Sequence, residues 1–382
     1  MSKDPFWGCG LVGKSIDPTA NVWSGLINDL SRTSNTGKVS TWNWDVAPQK
    51  DDHLNDKFLF FPNAQCGGTS ADSASTYTAY VQGKQFGGGA FLANMALGGN
   101  EPDQIGYCQD YTSPGPHSVT DCDGRMMAAG KCTGNNECKC LNWNPETQCT
   151  YDVTGCGMWP LNAKSCPTNP ATFPFDCVGQ HKSQACPPAC KQGMVDSFKK
   201  FYQTLAEKGY EYASTPIVAS DVSFNRDLLE AAGCSSVQEK GIDRLRKGCP
   251  THSAFHFYSS GCPDLNNPDA SISDFKNKVS LSKQLNSDFH LQGTIVNELG
   301  SLQVSGSPDT CPDENISGMM KDLFAHLKSP EGSGVVSQMV WFNQDQIGGT
   351  YDLTLVRGGE LSLLGKTYSS ACQDWAKSEG RA

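Results

Sequence analysis

The chain has little charge. Only 18% of its 382 residues are Asp, Glu, Lys or Arg, below the roughly 25% usual in globular domains. It has no basic surplus, because 30 Lys+Arg face 40 Asp+Glu and the formal net charge is −10. Phosphate recognition needs a concentrated basic face, so no nucleic-acid partner is expected. No apolar run approaches the ~18 residues a spanning helix requires, so no membrane partner is expected either. Histidine is scarce, with seven in all. Neither an H-E-x-x-H motif nor a histidine cluster occurs, so no metal and no cofactor are expected. No G-x-S-x-G sits at a strand end, which disfavours a serine hydrolase of that design. Internal repeats and low-complexity tracts are also missing. The opening Met1-Ser2-Lys3-Asp4-Pro5 shows no leader and runs at once into Trp7-Gly8-Cys9, so a mature form is expected.

Cysteine, in contrast, is abundant. There are 18, spread from Cys9 to Cys372. A reducing compartment would not keep so many oxidised, and tidy C-x2-C zinc pairs are absent. Disulfides and a secreted, extracellular or wall-facing location are therefore expected. The sequon Asn315-Ile316-Ser317 fits a glycoprotein of that compartment. Eleven of the cysteines fall between Cys108 and Cys190, in a stretch rich in Gly, Pro, Asn and Thr. Residues 107–192 are read as a disulfide-stapled insertion with little regular structure. An odd number there requires at least one pairing outside it, if all are oxidised.

Elsewhere short apolar runs alternate with helical patterns. The runs are 6–13, 39–45, 58–65, 95–103, 211–220, 253–259, 291–300 and 338–345. Helices are expected over 20–31, 194–208, 226–232, 273–285 and 316–328. In the second of these, Val195, Phe198, Phe201, Tyr202 and Leu205 recur at three- and four-residue spacing. Strands alternating with helices imply a parallel sheet. Eight of them imply an α/β fold, a (β/α)8 TIM barrel over 6–375, with its active site at the C-terminal strand ends. The insertion then follows the fourth strand, on that face.

Two strand ends carry glutamates. The fourth run closes on Asn100-Glu101-Pro102-Asp103 and the seventh on Asn297-Glu298-Leu299. A carboxyl pair of this kind suits cleavage of a glycosidic bond, one protonated and one ionised. Double displacement would need the two carboxyls about 5–5.5 Å apart. His256 can orient a substrate or an acid, Tyr258 can hydrogen-bond Glu298, and Trp42, Trp44 and Trp341 offer flat faces for sugar stacking. Asp45 and Asp103 are read as rim residues.

Asn100-Glu101-Pro102 after an apolar strand resembles the acid/base signature of the clan A glycoside hydrolases. Taken with other segments, it is most similar to glycoside hydrolase family 128. Those segments are Trp42-Asn43-Trp44, Phe61-Pro62, Ser214-Thr215-Pro216, His256-Phe257-Tyr258, Asn297-Glu298-Leu299 and Trp341-Phe342, in the family's order. The resemblance implies Glu101 as acid/base, Glu298 as nucleophile and Asn100 as the residue that binds the 2-hydroxyl. It implies a retaining endo-glycosidase acting on a β-glucan, with β-1,3-glucan favoured, and a poly- or oligosaccharide partner taken up by a monomer. The chain departs from the family at Asn63-Ala64-Gln65-Cys66 and at Asn297, which leaves the exact glycan open. A clan A hydrolase for another β-linked glycan, a non-catalytic glycan-binding protein and a disulfide-rich structural protein are the alternatives. The pair of glutamates counts against the last two.

Overall fold

The computed structural model describes residues 4–13, 16–44, 55–64, 91–101, 188–344 and 350–381. The expected cysteine-rich insertion and its junction with the fourth strand lie outside these, apart from the backbone of a helix start at its far end.

In chain order the elements are β1 (Gly8–Gly13), α1 (Asn21–Thr33), β2 (Val39–Trp44), β3 (Phe58–Ala64), β4 (Phe91–Leu92), β5 (Met95–Gly99) and α2 (Pro188–Glu207). Then come β6 (Tyr212–Ala213), α3 (Val222–Ala231), α4 (Gly241–Arg246), β7 (Ser253–Ser260), α5 (Pro268–Ser271) and α6 (Ser273–Asp288). The last are β8 (Thr294–Leu302), α7 (Asp313–Lys328), β9 (Val336–Asn343), β10 (Val356–Arg357), β11 (Glu360–Leu361) and α8 (Leu363–Ser378). Among the described residues no helix is long and apolar enough to cross a membrane.

The chain divides into two compact units. The first comprises residues 1–62, 80–94 and 252–382. Its strands hydrogen-bond in the order β4–β3–β2–β1–β9–β8–β7, and the ladders from β1 to β2, β1 to β9, β3 to β4, β9 to β8 and β8 to β7 are parallel. Strands of this kind need both faces covered, so they read as near-continuous apolar runs. Every residue of β8 from Thr294 to Ser301 is buried. Helix α7 meets the core with Ile316, Met319, Met320, Leu323 and Phe324, the three- and four-residue spacing of one helical face. Phe324 sets its ring edge against Tyr368 and Trp375 of α8, at centroid separations of 6.1 and 5.8 Å. The Ser362 hydroxyl starts α8 by accepting from the Gly365 N–H at 3.1 Å. Disulfide Cys9–Cys372 joins β1 to α8, and Cys262–Cys311 joins the loops after β7 and β8.

The second unit comprises residues 63–79 and 95–251. Strand β3 passes into it at Asn63, which pairs in parallel with Leu97 of β5, and β5 pairs with β6 through Met95 and Tyr212. Helix α2 covers Val195, Phe198, Phe201, Tyr202 and Leu205, the residues whose spacing marked it in the sequence. Asp221 caps α3 by accepting from the Ser223 N–H at 2.9 Å. Disulfide Cys234–Cys249 closes the segment between α3 and β7.

Candidate active site

In the first unit the site grows from β7 and β8. Successive side chains of a strand face opposite ways. Phe255 and Phe257 meet Phe275 of α6, at centroid separations of 6.1 and 5.2 Å. His256 and Tyr258 therefore face away from that helix. Across the ladder Phe255 stands opposite Val296, but His256 stands opposite Glu298. The ladder to β9 skips in the same place, from Val296–Met339 to Leu299–Trp341. Strand β8 thus carries one extra residue against both neighbours, a β-bulge at Asn297–Glu298. Bulges re-aim side chains and recur beside active sites.

The re-aimed carboxylate is closely held. Glu298 is 8% exposed. The Tyr258 hydroxyl donates to its Oε2 at 2.6 Å, and His256 Nδ1 lies 3.5 Å from the same oxygen. His256 itself is buried and Tyr258 half-buried. Gly300 makes the phenol's position possible. A Cβ there would fall 2.9 Å from Tyr258 Cε1 and 2.6 Å from Leu353 Cδ1. The Trp42 indole N–H fixes the bulge from the other side, donating to the Asn297 carbonyl at 3.0 Å. The Asn297 amide is buried, and neither of its polar atoms has a hydrogen-bond partner among the described residues.

The aromatic expectations divide. Trp42 is 7% exposed and uses its N–H on the bulge rather than presenting a free ring face. Trp341 exposes none of its surface. Its N–H donates to the Leu353 carbonyl at 2.8 Å, and its ring packs 5.8 Å from that of Tyr368. In this placement it is a core residue and has no face to offer a sugar. Trp44 ends β2, and its side chain lies outside the described residues, as do Asp45 and Asp103.

In the second unit Asn100 and Glu101 follow β5 directly. Asn100 is 3% exposed and forms a parallel bridge to Ile217. The Glu101 N–H donates to the Ile217 carbonyl at 2.8 Å, and the Ile217 N–H to the Gly99 carbonyl at 2.8 Å. Glu101 is half-buried and takes φ = 46°. That left-handed conformation costs a non-glycine residue about 1–2 kcal/mol. Such strain persists where surrounding structure enforces it, often at functional sites. The enforcement here is close packing of backbone on backbone. Gly98 lies so near the 214–217 segment that a Cβ would fall 2.5 Å from the Thr215 carbonyl oxygen.

The expected residues thus fall into two sets: His256, Tyr258 and Glu298 in the first unit, Asn100 and Glu101 in the second. Gly300 and the donor role of Trp42 were missed. Both depend on which residues the bulge brings opposite one another, which no local pattern encodes.

No known family pattern matches the chain, and no curated protein matches it. Its solved structural neighbours are mainly members of glycoside hydrolase family 128, from several subgroups. One is a subgroup I endo-β-1,3-glucanase from Amycolatopsis mediterranei in complex with laminaritriose, 13% identical, with TM-score 0.47 over 95% of this chain and 99% of that one. A subgroup VII oligosaccharide-binding protein from Trichoderma gamsii is 12% identical, with TM-score 0.42 over 97% and 95%. A subgroup VI exo-β-1,3-glucanase from Aureobasidium namibiae is 11% identical, with TM-score 0.42 over 95% and 96%.

Proposed function

We propose that the chain is a retaining endo-glycosidase that hydrolyses a β-glucan, most favourably β-1,3-glucan, on a (β/α)8 barrel forming one catalytic domain. The observation that carries this reading is the grip on Glu298. A buried carboxylate on a bulged strand end accepts a 2.6 Å hydrogen bond from Tyr258. A donor so placed favours the ionised, nucleophilic form of the acid. The strained backbone at Glu101 supports a second role on the other strand end. The choice of glycan rests on the sequence resemblance.

In the reaction the Glu298 carboxylate attacks the anomeric carbon. The glycosidic C–O bond breaks, and Glu101 gives its proton to the departing oxygen. A glycosyl ester of Glu298 results. Glu101, now a carboxylate, takes a proton from water as the water oxygen attacks the same carbon, and Glu298 leaves as a carboxylate. Asn100 would bind the 2-hydroxyl. His256 orients the sugar or the acid, and Trp44 is the remaining candidate for a stacking platform. No step calls on a metal or cofactor. Three disulfides among the described residues suit an oxidising, extracellular setting.

The test is product analysis on a panel of β-glucans, with Glu298→Gln and Glu101→Gln beside the parent protein. The parent should release short oligosaccharides of retained configuration from β-1,3-glucan. Each variant should lose roughly 10²–10⁴-fold in turnover while keeping its fold. Oligosaccharide binding with no hydrolysis of any glycan would make this a binding protein. Near-parental activity in either variant would remove that glutamate from its role.

A further inference from the structure

A lysine stands behind the bulge. Lys278 lies on α6 and is only 3% exposed. Its ammonium donates to the His256 backbone carbonyl at 3.1 Å and pairs with Asp274 Oδ2 at 2.9 Å. Asp274 lies one turn earlier, and its side chain is 56% exposed. Burying an ammonium is costly unless it is paired and hydrogen-bonded. The surface carboxylate and the buried carbonyl both contribute to that compensation. The acceptor is the residue at which the β7–β8 ladder changes register.

We propose that Lys278 is a positioning residue for the Glu298 carboxylate, a role that rests on Glu298 being the nucleophile. A hydrogen bond to the His256 carbonyl fixes the peptide plane joining His256 to Phe257. That plane sets the direction of the His256 ring, which lies 3.5 Å from Glu298 Oε2. It also sets the path of the chain to Tyr258, whose hydroxyl holds the same oxygen at 2.6 Å. In this role Lys278 acts through β7, by way of the His256 carbonyl. The charge sits on the helix side of the strand and the carboxylate on the other, so one strand transmits the position of one to the other.

The experiment uses the full chain with Lys278→Met, which keeps the apolar stem and removes the donor, and Lys278→Arg, which keeps a cation. The first readout needs no turnover. Tyrosine is labelled with ¹³C at Cζ, the Tyr258 signal is assigned by its loss in Tyr258→Phe, and its shift reports the bond to Glu298. The second readout is the split between kcat and KM on β-1,3-glucan. Lys278→Met should move or broaden the Tyr258 signal and lower kcat by about 10- to 100-fold. KM should stay within about twofold, and Lys278→Arg should restore most of the loss. A Tyr258 signal at its parental position in Lys278→Met overturns the proposal, whatever happens to the melting temperature. If the parent hydrolyses no glycan, the glycosidase reading fails and the Tyr258 signal alone decides the role of Lys278. Should Lys278→Met fail to fold, Lys278→Gln, too short to reach the carbonyl, is judged by the same signal.

Discussion

At the scale of single residues, the glutamates and tryptophans show what a sequence can and cannot reveal. The hydrogen bond between Tyr258 and Glu298 was legible because both close apolar runs, and strand ends at one edge of a parallel sheet gather together. Trp341 also lies in such a run, yet exposes no surface. An aromatic in a buried strand packs on one face or the other, and two-residue alternation does not say which face is the core. The structure assigns it a neighbour, Tyr368, and an acceptor, Leu353. Trp341→Ala should therefore lower stability by about 3–5 kcal/mol, the usual cost of emptying a large aromatic site. Denaturant unfolding measures this. A near-parental unfolding midpoint together with weakened oligosaccharide binding would return Trp341 to a sugar-stacking role.

At the scale of elements, the strands and the longer helices followed the apolar pattern closely. The run at 39–45 became Val39–Trp44 and the helix at 20–31 became Asn21–Thr33. The run at 211–220 shrank to Tyr212–Ala213. Ser214 there turns its hydroxyl to the Thr215 carbonyl, and Pro216 has no N–H for a ladder. The helix at 226–232 starts earlier, at Val222, because Asp221 caps it. The bulge in β8 had no sequence signal, since an extra residue is defined only against the neighbouring strands. Gly300 belongs to the same device. Gly300→Ala would press a methyl carbon onto Tyr258 and Leu353. Overpacking of this kind costs about 1–3 kcal/mol. The phenol should move off Glu298, so kcat should fall more than that loss of stability explains. Thermal melting beside glucan hydrolysis checks it. A parental kcat would show that the Tyr258 bond tolerates the shift or does not matter.

At the scale of the whole molecule, acid should weaken the fold through one buried carboxyl near the start of the chain. Asp4 is 6% exposed. Its Oδ1 accepts from the Phe6 N–H at 2.8 Å, and its Oδ2 lies 3.0 Å from His252 Nε2, just before β7. Gly293, just before β8, leaves room for that oxygen, since a Cβ there would fall 2.9 Å from it. Burial alone pushes the Asp4 carboxyl up. The charge and hydrogen bond of His252, with help from Phe6 and Ser337, outweigh burial and hold it below the usual 3.8. A carboxyl lowered by folding adds stability that is fully present above its unfolded value and is lost as pH falls through its folded value. Asp4→Asn keeps the shape and removes the charge. At neutral pH it should cost about 1–3 kcal/mol, because the partners around it lose their ionic acceptor. The gap to the parent should hold down to about pH 4 and close below it, as the parent's own carboxyl takes up its proton. Melting temperatures of both proteins between neutral and strongly acidic pH give the curve. A gap that persists unchanged into strong acid would show that Asp4 contributes shape rather than charge.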